Sequence, residues 1–90
     1  MALTIQEMFD CIDNLSKNKL VLVLEGKEGN NKIYSRIYIK DNTCYLDVYS
    51  SLNTSTYINR IVEDISNLSK FKVHILSLLR KYSILKINIE

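Results

Sequence analysis

Nowhere in this chain do about 18 apolar residues run together, the length a helix needs to cross a bilayer, so no segment reads as a membrane span. Histidine occurs once, at His74, and cysteine twice, at Cys11 and Cys44. That set cannot build a standard four-ligand zinc site, so no metal or other cofactor is expected. The two cysteines stand far apart on stretches that read as apolar, the pattern of buried free thiols in a reducing compartment. The only glycines are Gly26 and Gly29, both expected in one hairpin turn, so there is no glycine-rich phosphate loop. Proline and tryptophan are absent. The opening Met1-Ala2-Leu3-Thr4 lacks the basic region of a signal peptide, and a cytoplasmic location in a bacterial host is expected.

Catalysis needs titratable groups that converge. His74 sits on a helical stretch beside lysines, on one stripe with Lys70, Ser77 and Lys81, and reads as a solvated polar-face histidine. Glu63 and Asp64 are adjacent, and neighbours do not share a helix face, so paired-carboxylate chemistry is not expected. The expectation is a protein that binds without catalysing.

What is present is ordinary globular material. With 47% hydrophobic and 24% charged residues in a chain of 90, residues 1–90 read as one soluble domain with a modest core. Asn, Ile, Lys, Ser and Tyr are abundant, a usage typical of AT-rich genomes that include many phages and plasmids of Gram-positive bacteria. The net charge of +2 is unevenly spread. Glu7, Asp10 and Asp13 make the start acidic, while Lys70, Lys72, Arg80, Lys81 and Lys86 make the last third basic.

Thr4 and Glu7 form a capping box, with Leu3 and Met8 at the spacing of a hydrophobic staple. Ile5, Met8, Phe9, Ile12 and Leu15 then follow helical spacing, and the helix is expected to stop near Ser16, before the polar Lys17-Asn18. Leu20–Leu24 is an unbroken apolar run ended by Gly26 and reads as a strand covered on both faces or nearly so. After the turn signal Gly29-Asn30-Asn31, residues 33–40 alternate, with Ile33, Ser35, Ile37 and Ile39 on one face and Tyr34, Arg36, Tyr38 and Lys40 on the other. Asp41-Asn42 is a tight turn. Thr43–Ser50 alternates again, with Cys44, Leu46 and Val48 opposite Thr43, Tyr45, Asp47 and Tyr49. Ser51–Thr56 is polar and offers N-cap candidates. Ile58, Ile61, Val62, Ile65 and Leu68 predict a second helix. Phe71, Ile75, Leu78, Leu79 and Tyr82 predict a third, although the alternation over 71–75 also fits a strand. Leu85, Ile87 and Ile89 close the chain as a strand.

The fold expected is therefore α+β: a three-stranded antiparallel meander plus a C-terminal strand, with helices on one face, in the order α-β-β-β-α-α-β. Its expected core is Ile5, Phe9, Ile12, Leu20, Leu22, Ile37, Ile39, Leu46, Val48, Ile61, Ile65 and Ile87. The outer face of the meander gathers Tyr34, Arg36, Tyr38, Tyr45 and Tyr49, extended by Val21 and Val23. Tyr and Arg supply large contact area at little rotamer cost and are enriched at binding hot spots, so this face is the first candidate site, for a protein partner or a second copy. Tyrosines paired across strands also stabilise a sheet with no partner at all. The same rings could stack bases of a single-stranded nucleic acid. The second candidate is the basic patch Lys70, Lys72, Arg80 and Lys81, which reads either as a solvated helix side or as a contact for phosphates or an acidic protein.

The order of elements in Leu3–Lys17, Lys19–Gly26, Lys32–Lys40, Thr43–Ser50 and Ser55–Ser69 resembles the small prophage anti-CRISPR proteins of Listeria that inhibit Cas9. The likeness covers about the first two-thirds of the chain and shares no sequence motif. Those inhibitors are strongly acidic, and this chain adds the C-terminal strand Ile84–Ile89. What the resemblance implies is a class, a small phage-type protein that blocks a host Cas effector by binding it, and no site residue is carried over. A double-stranded-RNA-binding domain has a related order. Its second helix opens with a lysine cluster, however, where this chain reads Asn53-Thr54-Ser55-Thr56-Tyr57. Two other readings stand beside the inhibitor: a single-strand nucleic-acid binder using the tyrosine face and basic helix, and a homo-oligomeric accessory protein.

Overall fold

The capping box starts helix α1 (Ile5–Ile12) as its residues require. Thr4 Oγ1 accepts from the Glu7 N–H at 3.1 Å, and Glu7 Oε1 accepts from the Thr4 N–H at 3.0 Å. Met8 and Ile12, four apart on one side, are fully buried. Ile5, expected in the core, is instead 50% exposed: it shares that stripe but is the first residue of the helix, at its open end. The computed structural model describes residues 3–15, 19–51, 53 and 55–90. The expected helix end near Ser16 and the break at Lys17-Asn18 lie outside the described residues, as do Met1, Ala2, Leu52 and Thr54.

Five strands follow: β1 (Leu22–Glu28), β2 (Asn31–Lys40), β3 (Thr43–Tyr49), β4 (Asn59–Asp64) and β5 (Ser83–Ile89). They form one sheet in the order β4-β3-β2-β1-β5, every neighbouring pair antiparallel. Asp41 and Asn42 take positive φ (50° and 61°) between the paired Lys40 and Thr43, the two-residue hairpin that suits the twist of the flanking strands. Gly29 (φ 62°) and Asn30 make the other turn, and Asn31 already belongs to β2. Gly26 is not in that turn but inside β1, where the pairing with β5 shifts register. A Cβ there would lie 3.0 Å from the Ser83 carbonyl oxygen, so glycine is what lets β5 approach.

Between β4 and β5 run a 3-10 turn (Ile65–Asn67) and helix α2 (Leu68–Lys81). The second helix expected around Ile58–Leu68 is thus corrected to a strand followed by a 3-10 turn, while 71–75 is helical and not a strand. The physical reason is visible in exposure. Ile58 and Val62 would anchor a helical stripe, yet they are 58% and 48% exposed, whereas β4 hydrogen-bonds along the edge that β3 would otherwise leave open. The α+β architecture, with α1 and α2 on one face of the sheet, is as the alternation implies.

The core lies between that face and the helices. Leu22, Leu24, Ile37, Cys44, Leu46 and Val48 point inward against Met8, Ile12, Phe71 and Ile75. Leu20, Phe9, Ile39, Ile61 and Ile65 pack at its margin, half-buried. Val21 and Val23 face the other way and are half-buried, so β1 is fully covered on one face only. The acidic start and the basic end of the chain meet here: Lys72 Nζ lies 2.7 Å from Asp13 Oδ1.

Candidate binding face

The register of the sheet arranges its outer face in rows. Tyr45 is paired with Tyr38 on β2 and with Val62 on β4, and one step beyond the Leu22–Ile37 pair Val21 stands beside Tyr38. An apolar row Val21–Tyr38–Tyr45–Val62 therefore crosses four strands. In the next row Val23, Arg36, Asp47 and Arg60 stand in line, and beyond it Tyr34 faces Tyr49. The five residues singled out from alternation, Tyr34, Arg36, Tyr38, Tyr45 and Tyr49, do share one face, but they are not equally available. Tyr49 is only 6% exposed, and the other four are half-buried.

The organiser of this face is Asp47, which is fully buried. Its carboxylate accepts from Arg60 Nε at 2.7 Å, from Arg60 Nη2 at 2.9 Å, from the Tyr38 hydroxyl at 2.7 Å and from the Tyr49 hydroxyl at 3.4 Å. The arginine fork is bidentate, the geometry that best repays burial of a charge. Burial alone would push the Asp47 carboxyl up, but the hydrogen bonds from Arg60 and Tyr38 and the charge of Arg60 outweigh it and hold it below the usual carboxylate range. Burial and the bond to Asp47 push the Tyr38 hydroxyl up to about 12.

The same network fixes the rings. Tyr38 and Tyr45 stack with centroids 5.0 Å apart and planes 16° from parallel. The Arg60 guanidinium lies 4.1 Å from the Tyr57 ring centre and 5.1 Å from that of Tyr45, both cation–π distances. Arg36 stands 5.1 Å over Tyr49 and reaches Glu90 at 3.3 Å. Arg60 and Asp47 as a pair escape sequence reasoning because Arg60 lies in the segment assigned to a helix. The available signal is an aspartate alternating with tyrosines on a strand, which requires a cation beside it if covered. Beside the row, an open cleft of about 680 Å³ is lined by Lys19, Leu20, Val21, Tyr38, Lys40 and Asp41.

The second candidate site does not hold together. Lys70 lies 3.6 Å from Glu63, Lys72 is engaged by Asp13, Lys81 sits 5.3 Å from the Tyr82 ring, and Arg80 is exposed on the helix crest. These four belong to α2, across the sheet from the tyrosines. His74 is not isolated, as its neighbours in sequence suggest: Nε2 lies 3.0 Å from Glu63 Oε1, and this bond, aided by Lys70, holds the Glu63 carboxyl low. Ser77 lines a cleft of about 130 Å³ with His74, but among the described residues no hydrogen bond joins the two. Cys11 is half-buried and Cys44 buried, both as free thiols. Burial, with Asp64 and Glu63 nearby, pushes the Cys44 thiol up. Among the described residues no group of three or more His, Cys, Asp or Glu could hold a metal ion, and no helix is long and apolar enough to cross a membrane. Compared with protein-family models, curated proteins and solved structures, the chain matches none.

Proposed function

We propose that this chain is a non-enzymatic binding protein, and that its partner is a protein docking on the outer sheet face along Val21, Tyr38, Tyr45 and Val62. The observation that carries the reading is the Asp47 network. It locks Arg60 and Tyr38 by hydrogen bonds and Tyr45 by stacking, so a surface of aromatic edges and valines is ordered before any partner arrives. Preorganisation of this kind removes much of the side-chain entropy cost of association. A protein partner fits better than bases of a single-stranded nucleic acid, because the ring faces of Tyr38 and Tyr45 are occupied by each other and by Arg60, and the lysines of α2 lie on the far side. The partner class that the resemblance to anti-CRISPR inhibitors implies is a Cas effector. The likeness now rests on α1 and the meander, since Ser55–Ser69 holds β4 where a helix was expected.

The test is binding to a purified Cas9–guide complex and inhibition of its DNA cleavage, with Tyr45→Ala as the probe. No hydrogen bond of the fold uses the Tyr45 hydroxyl among the described residues, and a central ring is worth about 2 kcal/mol, so affinity should fall more than tenfold in a folded variant. Unchanged affinity would move the site off this face. A salt-sensitive oligonucleotide gel shift lost in the same variant would replace the protein partner with a nucleic acid.

A further inference from the structure

The two outer edges of the sheet differ. That of β5 is partly closed, since the Leu3 N–H donates to the Ile87 carbonyl at 2.7 Å. That of β4 has no such contact among the described residues. The Ile65 N–H donates to the Asn42 carbonyl at 2.9 Å, in step with the β3–β4 ladder in which Thr43 faces Asp64. Bonded and non-bonded positions alternate in an antiparallel pair. Ile61 and Glu63 therefore bond to β3, while Arg60, Val62 and Asp64 turn their N–H and C=O groups outward. An edge with unpaired groups in register is a template for another strand.

We propose that β4 pairs with β4 of a second copy, antiparallel, about a two-fold axis through Val62. Residues opposite one another in an antiparallel pair share a sheet face, so the axis must pass through a residue and not between two. Centred on Val62, the outward groups of Val62 meet those of Val62 in the second copy, and Arg60 meets Asp64 on both sides of the axis. Centred on Ile61, Arg60 would instead oppose Val62, and no ion pair would form. Charge complementarity selects the first register. Asp47 takes the Nε–Nη2 edge of the Arg60 guanidinium, so Nη1 is directed away from it. The two bonds Asp64 accepts from Ser66 both fall on Oδ2, so Oδ1 accepts no hydrogen bond among the described residues.

The apolar row gives a second, independent reason. Val62, 48% exposed, is its last member, and an axis through Val62 continues the row into the second copy without a break. An axis perpendicular to the sheet keeps both outer faces on the same side, so the five-stranded sheet doubles and its aromatic row becomes twice as long. This inference stands on backbone register and holds whatever docks on the outer face.

Sedimentation equilibrium of the full chain tests it, with dimerisation expected as concentration rises through the micromolar range. Val62→Lys puts two like charges on the axis and should abolish the dimer while leaving the melting temperature of the dilute monomer unchanged. Asp64→Asn keeps an oxygen for the Ser66 N–H but loses the charge, and should weaken the dimer severalfold. Val62→Cys should crosslink between copies under mild oxidation. Opposed Cα atoms at a bonded antiparallel position are about 5.5 Å apart, within the span of a disulfide, and the unsubstituted chain is the control. A wild-type chain monomeric at every concentration, a dimer that survives Val62→Lys, or a dimer that Val62→Cys does not crosslink would each overturn the proposal.

Discussion

Replacing Asp47 by Asn changes almost no volume and tests the network that orders the outer face. The side chain is fully buried and accepts three hydrogen bonds shorter than 3 Å, two from Arg60 and one from Tyr38. An asparagine can keep one acceptor toward Arg60, but its amide N–H groups then face donors, and the Arg60 charge loses its counterion. Removing one member of a buried pair costs about 3–5 kcal/mol, and because the Arg60 side chain is a third exposed and can be rehydrated, the lower end applies, about 3 kcal/mol. Loss of the charge-assisted bonds, each worth about 1.5–3 kcal/mol and not additive, points to the same range. A 90-residue domain has about 5–13 kcal/mol in all, so the variant should lose about a quarter of its stability or more. At about 4–8 °C per kcal/mol the melting temperature should fall by at least ~12 °C. Thermal and urea unfolding followed by circular dichroism give both numbers. The network also sets an acid limb. Because the folded Asp47 carboxyl lies below its unfolded value, its contribution is complete well above pH ~4 and is lost as pH falls through the folded value, so Asp47→Asn should lack that limb. An Asp47→Asn protein within about 0.5 kcal/mol of wild type at neutral pH would refute the assignment of Asp47 as organiser of the face.

Ile37→Ala, at a fully buried central-strand position, should cost about 2–5 kcal/mol in urea unfolding. Gly26→Ala should cost about 1–3 kcal/mol by overpacking against the Ser83 carbonyl, read as a lower urea midpoint with an unchanged slope. Tyr38, raised to about 12, contributes stability that is complete below pH ~10 and lost as pH climbs toward 12. In an alkaline ultraviolet titration its late phenolate step should vanish in Tyr38→Phe.

Tyr38 also shows why a tyrosine on this face is not free to be truncated. Its hydroxyl is an Asp47 ligand, so Tyr38→Ala would cost a buried hydrogen bond as well as contact area, while Tyr45→Ala removes the stacking and the Arg60 contact but no hydrogen bond among the described residues. Which face each residue occupies follows from the two-residue period of a strand. How firmly each ring is held depends on Asp47 and on Arg60, thirteen residues beyond it.

Local pattern was enough for helix α1, the meander and the last strand. The capping box needs only four consecutive residues, and the alternation in 33–40 and 43–50 leaves one choice of face for every side chain. The positive-φ turn at Asp41-Asn42 is likewise local chemistry. Strand β4 is not local. As an edge strand it buries one apolar side chain, Ile61, half-way, and six residues with one inward anchor carry too short a period to outweigh the helical spacing of Ile58, Ile61, Val62 and Ile65. What made it a strand was the unpaired edge of β3, whose backbone groups demanded partners. The same tertiary event delivered Arg60 to Asp47, set Glu63 beside Lys70 and gave His74 its acid, while the packing of α1 and α2 on one face brought Lys72 to Asp13. Periodicity decides which way a side chain points. Only chain pairing decides which charges meet, because that depends on registers set by hydrogen bonds between segments that the sequence holds apart.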